Sequence, residues 1–103
     1  MRMVKGLAHI TGGGFAGNIS RILPPGVTAG ISVSSWPVPP IFQLIARTGG
    51  VARDEMYRVF NMGVGMVVVV SPADAARLAE AIPDAYTIGS IIRQQGDERV
   101  LLI

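Results

Sequence analysis

The stretch of this sequence best equipped for chemistry is His9-Ile10-Thr11-Gly12-Gly13-Gly14-Phe15, followed by Asn18 and Arg21. Three glycines between a strand and a helix let main-chain amides come close to a bound oxyanion. The helix start that follows adds a partial positive charge. Thr11 offers a hydroxyl, and Arg21 a two-pronged donor for phosphate if it faces the bend. Histidine is the residue type suited to moving a proton near neutral pH, so His9 is the candidate general acid or base. A plain glycine-rich turn beside a hydrogen-bonded histidine would have the same spacing. No Gly-Lys-Ser/Thr follows, so this is not a Walker loop, and three adjacent glycines do not have the spacing of a dinucleotide fingerprint.

Other candidates are thinner. In Asn61-Met62-Gly63-Val64-Gly65-Met66, Asn61 can hydrogen-bond a ligand or a nearby backbone group, and the glycines let the chain turn. Met56, Met62 and Met66 suit gap filling in a core better than metal binding. Trp36, at a strand end before prolines, can stack on a base or anchor packing. Asp54 and Glu55 are adjacent on a helix and point apart, which makes them a poor catalytic pair. Ser71 has no histidine near it in sequence and reads as a helix cap. With one histidine and no cysteine, a histidine-rich or thiolate metal site is excluded, as are disulfides. No metal site is expected on this chain.

These residues need elements to hold them. Val4 to Ile10 is a short, mainly apolar run and predicts a strand. Asn18 is placed to cap a short helix from Ile19 to Leu23, which Pro24-Pro25-Gly26 ends. Val27 to Ser34 predicts a strand with one buried face. Pro40 opens a helix to Arg47, with Ile41, Leu44, Ile45 and Thr48 on one side. Arg53 to Phe60 is a second helix, with Asp54 and Glu55 where the dipole favours acids. Val64 to Val70 is β-branched and predicts a buried strand. Ser71-Pro72-Ala73-Asp74 is a strong helix start, and that helix runs to about Ile82. Strands from Ala85 to Ile92 and Arg99 to Ile103 close the chain and are adjacent enough to pair as a hairpin. The mixture predicts an α+β layer: a mixed sheet of about five strands with helices mainly on one face.

The 103 residues fit one domain with a modest core. Half of them are hydrophobic, a high share for so short a chain, which hints at a missing partner. No apolar run is long enough to cross a bilayer, and MRMVKGLAHI lacks a leader's apolar core and cleavage site. A cytoplasmic location is the expectation, with no membrane partner. Residues 1 to 50 carry Arg2, Lys5, Arg21 and Arg47 and no acid, while all seven acids lie beyond them. An acid-free segment favours anionic ligands. The cations are scattered and aromatics few, so no nucleic-acid surface is expected.

The bend and its flanks resemble the signature of aminoimidazole ribonucleotide synthetases, the phosphoribosylformylglycinamidine cyclo-ligase family. Gly6 to Phe15 and Asn18 to Pro24 carry the likeness. So do Ser35-Trp36-Pro37, Gly49-Gly50-Val51, Glu55 to Arg58, Phe60 to Met66 and Ile88-Gly89, in order along nearly the whole chain. The resemblance implies closure of formylglycinamidine ribonucleotide to aminoimidazole ribonucleotide in purine biosynthesis, with ATP and magnesium. It implies a bend facing the substrate cleft: His9 as the catalytic candidate, and Thr11, Gly12, Gly13, Gly14, Asn18, Arg21 and Asn61 for the ribonucleotide. It also implies that residues 1–103 are one partial C-terminal domain. The family's N-terminal ATP-binding domain, and more chain before the His9 strand, have no counterpart here. The expected partners are then that missing domain or a separate ATP-binding chain, a ribonucleotide, and further copies in a homo-oligomer, with no turnover by the chain alone. The competing expectations are a non-catalytic, self-associating module that binds anions or nucleotides, and a purely structural truncated domain.

Overall fold

The computed structural model describes residues 4–103, and the order of elements is the expected one. β1 (Val4–His9) leads to α1 (Gly14–Ser20), then β2 (Val27–Ile31), α2 (Pro40–Gly49), α3 (Arg53–Val59), β3 (Met66–Val70), α4 (Pro72–Ala81), β4 (Gly89–Arg93) and β5 (Val100–Leu102). Arg2 and the start of the leader reading lie outside the described residues. The class is α+β. The single expected sheet is divided: β1 and β3 form an antiparallel pair, and β4, β2 and β5 form a mixed three-stranded sheet in that order.

The expected hairpin between the last two strands is corrected by this order. β4 runs antiparallel to β2 on one side, and β5 runs parallel to it on the other. The connection crosses the start of β2 and is pinned there. The Gln94 amide donates to the Gly26 carbonyl at 2.9 Å, and the Thr28 hydroxyl to the Glu98 carbonyl at 2.7 Å. Arg99 adds bonds to the carbonyls of Leu23, Pro24 and Val27 at 3.2, 2.8 and 3.0 Å. Thr28, Ala29, Gly30 and Ile31 are all buried, the mark of a central strand. β4 starts later than expected, at Gly89. A side chain there would collide with the Gly30 carbonyl, so the close approach of the two strands requires this glycine.

The core lies where α1 joins both sheets and α3. Phe15, Ile10, Ile19 and Met56 are fully buried. Phe15 sits 5.7 Å from the rings of both Trp36 and Tyr57, and those two are 6.4 Å apart. Trp36 is therefore a packing anchor, and its indole N–H is satisfied by the Met62 carbonyl at 3.1 Å. On α2 the expected stripe is rotated. Phe42, Ile45 and Ala46 reach the core, while Ile41 and Leu44 are exposed. Ser71 precedes α4 as expected, but its hydroxyl donates to the Asp74 carboxylate at 3.0 Å and caps no amide.

Burial pushes the Tyr57 hydroxyl above its ordinary range, with Arg53 pulling weakly the other way. A neutral tyrosine buried in the fold ionises first in the unfolded chain. Stability is then intact below a pH of about 10 and falls as the pH rises beyond it. Urea unfolding at stepwise alkaline pH should show this decline, and Tyr57→Phe should remove part of it. An identical decline in the variant would assign it to other groups.

Candidate functional site

The triglycine bend leaves the end of β1 and enters α1 with two glycines in left-handed conformation, Gly13 at φ 96° and Gly14 at φ 61°. That geometry starts the helix at Gly14, earlier than the sequence predicts. Asn18 is consequently inside α1 and is not its cap. It is buried, and its side-chain amide reaches back to the carbonyls of Thr11, Gly12 and Gly14 at 3.2, 3.3 and 2.7 Å. Those three bonds use the donor capacity of Asn18 on the bend itself, so this residue shapes the loop.

Around this tie the other expected residues gather. The Thr11 hydroxyl lies 3.4 Å from the Asn18 Oδ1, and Arg21 Nη1 lies 3.5 Å from the same oxygen. Thr11, Gly12, Gly13 and Arg21 are exposed, and so is His9 at the last position of β1. The Gly14 amide donates to the Thr11 carbonyl at 3.0 Å. The amides of Thr11, Gly12 and Gly13 have no acceptor among the described residues. The bend therefore presents unpaired donors to the outside with an arginine beside them, an arrangement suited to an oxyanion.

The glycines divide sharply in what they do for the fold. Gly14 is buried, and a Cβ on it would run into the carbonyls of Tyr57 and Arg58 at the end of α3. Gly12 has no neighbour within 4 Å of its would-be Cβ and no left-handed φ. Packing and backbone geometry give no reason for glycine at position 12.

Asn61 belongs to a second turn at the same end of the β1–β3 pair, since His9 stands opposite Met66. Its side-chain oxygen accepts the Gly63 amide at 2.8 Å, closing a local turn. The Ile10 amide donates to the Gly65 carbonyl at 2.9 Å, which joins the two turns. The carbonyls of Tyr57 and Arg58, which hem in Gly14, are the part of the site that residue types do not betray. Among the described residues no group of three or more His, Asp or Glu side chains could hold a metal ion. The donors at the bend fit a phosphate-like anion, whereas magnesium requires oxygen ligands.

An α+β domain whose exposed glycine bend leaves amides without acceptors among the described residues is the class of protein this arrangement defines. Residues 1–101 match the family model described as AIR synthase related protein, C-terminal domain, and the chain belongs to that family. It is similar to phosphoribosylformylglycinamidine cyclo-ligases. The relative from Brevibacillus brevis is 49% identical over 102 residues, covering 95% of this chain and 29% of that protein. The Myxococcus xanthus relative is 46% identical over 103 residues, covering 96% of this chain and 30% of that protein. The Arabidopsis thaliana relative, named chloroplastic, is 47% identical over 97 residues, covering 90% of this chain and 25% of that protein. The chain thus spans under a third of the length of these relatives and corresponds to their C-terminal portion.

Proposed function

We propose that this chain is the C-terminal part of an ATP-dependent cyclo-ligase that converts formylglycinamidine ribonucleotide to aminoimidazole ribonucleotide. Within it, the amides of Thr11, Gly12 and Gly13 hold an anionic group of the ribonucleotide, and Arg21 neutralises its charge. Asn18 keeps the loop in shape. His9, exposed at the end of β1, carries a proton. Gly14 belongs to the scaffold of the cradle, and Asn61 holds the neighbouring turn. ATP with magnesium would supply phosphoryl activation of the formyl oxygen, from residues mostly outside this chain. In this reading the chain is inactive alone, works with the portion that its relatives carry in addition, and assembles as a homo-oligomer. Among the described residues no helix is long and apolar enough to cross a membrane. The reading includes a cytoplasmic location, although the Arabidopsis relative's name shows that the family is not confined to one compartment.

The observation that carries this reading is Gly12, which faces open space on an exposed loop with free amides. A glycine that the fold does not need is explained by a ligand that approaches the backbone there. Amide NMR of the chain titrated with a purine ribonucleoside monophosphate should show shifts at Thr11, Gly12 and Gly13 that inorganic phosphate does not reproduce. Gly12→Ala should weaken that binding about tenfold or more. It should leave stability unchanged or raise it by up to about 1 kcal/mol, because alanine narrows the unfolded ensemble. Equal response to free phosphate would favour the non-catalytic anion-binding module, and silent loop amides the purely structural domain. An ATP-dependent cyclase rate from this polypeptide alone would overturn its dependence on the rest of the enzyme.

A further inference from the structure

A cleft of about 660 Å³ separates the two sheets. It is bordered by consecutive residues of β3, including Val67, Val68 and Val69, and by Gly89, Ser90 and Ile91 of β4. Successive strand residues point to opposite faces, so a space bordered by consecutive ones meets the strand at its edge. Among the described residues both edges are open: β3 pairs only with β1, and β4 only with β2. The composition of β3 is wrong for an edge. Met66–Val70 is an unbroken apolar run of the kind found in strands flanked on both sides. It has no charge or proline to discourage pairing, and the one irregularity of the β1–β3 pair, between Val4 and Gly6, lies on β1. β4 exposes Ile91 and Ile92, which point to opposite faces. Leu78 of α4 and Ile82, just past its end, border the same cleft, and α4 buries no residue.

The size of the molecule agrees. The chain exposes 6718 Å², whereas a folded protein of this mass exposes about 5,500 Å². The excess, about 1,200 Å², is above the roughly 800 Å² that one partner buries in a standard interface and falls within the range of obligate ones. The radius of gyration is 14.0 Å, against about 13 Å for a compact domain of this length.

We propose that the cleft is a docking site for an extended, mainly apolar segment, which pairs along β3 and β4 and fuses the two sheets into one. The occupant comes from the portion of the cyclo-ligase relatives that this chain does not span, more than two-thirds of their length. A strand inserted between two open edges needs both its own edges free. Each described strand of this chain already has at least one neighbour, so a second copy offers no such strand. The proposal rests on the reading that the chain works with the rest of such an enzyme, and not on the role of the glycine bend.

The test is amide hydrogen exchange on this chain with and without the separately produced preceding portion of the Brevibacillus brevis relative. Met66–Val70 and Gly89–Arg93 should both slow by at least tenfold in the mixture. Ile91→Lys, at an exposed position, should keep the chain's own thermal unfolding and weaken the association about tenfold. In the intact Brevibacillus brevis enzyme the two corresponding strands should be among the slowest to exchange, a readout that does not depend on the separate portion folding. Fast exchange there, or protection of only one strand in the mixture, would overturn the proposal. So would protection that grows with the concentration of this chain alone, which would make a second copy the occupant. Ligand shifts at Thr11 to Gly13 are read separately, so failure of the docking site and failure of the anion cradle are distinguishable.

Discussion

Gly14→Ala is expected to abolish the native fold. Its new methyl group would have to occupy space held by the carbonyls of Tyr57 and Arg58, and these are main-chain atoms at the end of α3 that cannot swing aside. The residue also sits at φ 61°, where an L side chain is strained. Relief would require α1 to part from α3, and α1 carries Phe15, Asn18 and Ile19 of the buried set. A cost of about 4 kcal/mol or more follows, at the upper end of single substitutions. A domain of this size has only about 5–15 kcal/mol to lose. Circular dichroism melting should show no cooperative transition, or one lowered by well over 15 °C. Gly12→Ala, two residues away, is the control that should melt normally. A cooperative Gly14→Ala protein with near-parental melting would show that the α1–α3 contact is not as close as described.

Phe15→Ala is expected to be nearly as damaging, for a different reason. Phe15 is 1% exposed and packs against both Trp36 and Tyr57 in a triangle of rings. Truncation removes its transfer energy and leaves a void that two rigid rings cannot fill, which costs about 3–5 kcal/mol. Phe15→Leu keeps most of the volume and should cost clearly less. Urea unfolding midpoints of the three proteins measure this. A loss under about 2 kcal/mol for the alanine variant would mean that the aromatic nest relaxes more than its geometry suggests.

Local rules located most elements because the punctuation is strong. Pro40, Pro72 and the glycine pair at 49 and 50 mark α2 and α4 closely. They failed where a side chain competes with a local rule. Asn18 looks like a cap, yet it folds back on carbonyls that precede it, because Gly13 and Gly14 turn the chain early enough to start the helix before it. The division into two sheets was also illegible, since alternation in Val27–Ile31 does not say which strands flank it. The placement of β4 and β5 on either side of β2 depends on contacts made by Arg99 and Thr28 across some seventy residues, between the last turn and the start of β2. At the candidate site the residue types pointed to an anion, and the structure adds which glycines the fold itself needs. Gly14 is bound by backbone neighbours and Gly12 by none, a difference that identical letters conceal.

The single tryptophan of the chain has an optical consequence. Trp36 lies against Phe15 and Tyr57 and also borders the intersheet gap. Its ultraviolet emission is therefore a built-in dye: a red shift would signal wetting of the aromatic nest, and a change at constant ellipticity would signal that something has entered the gap.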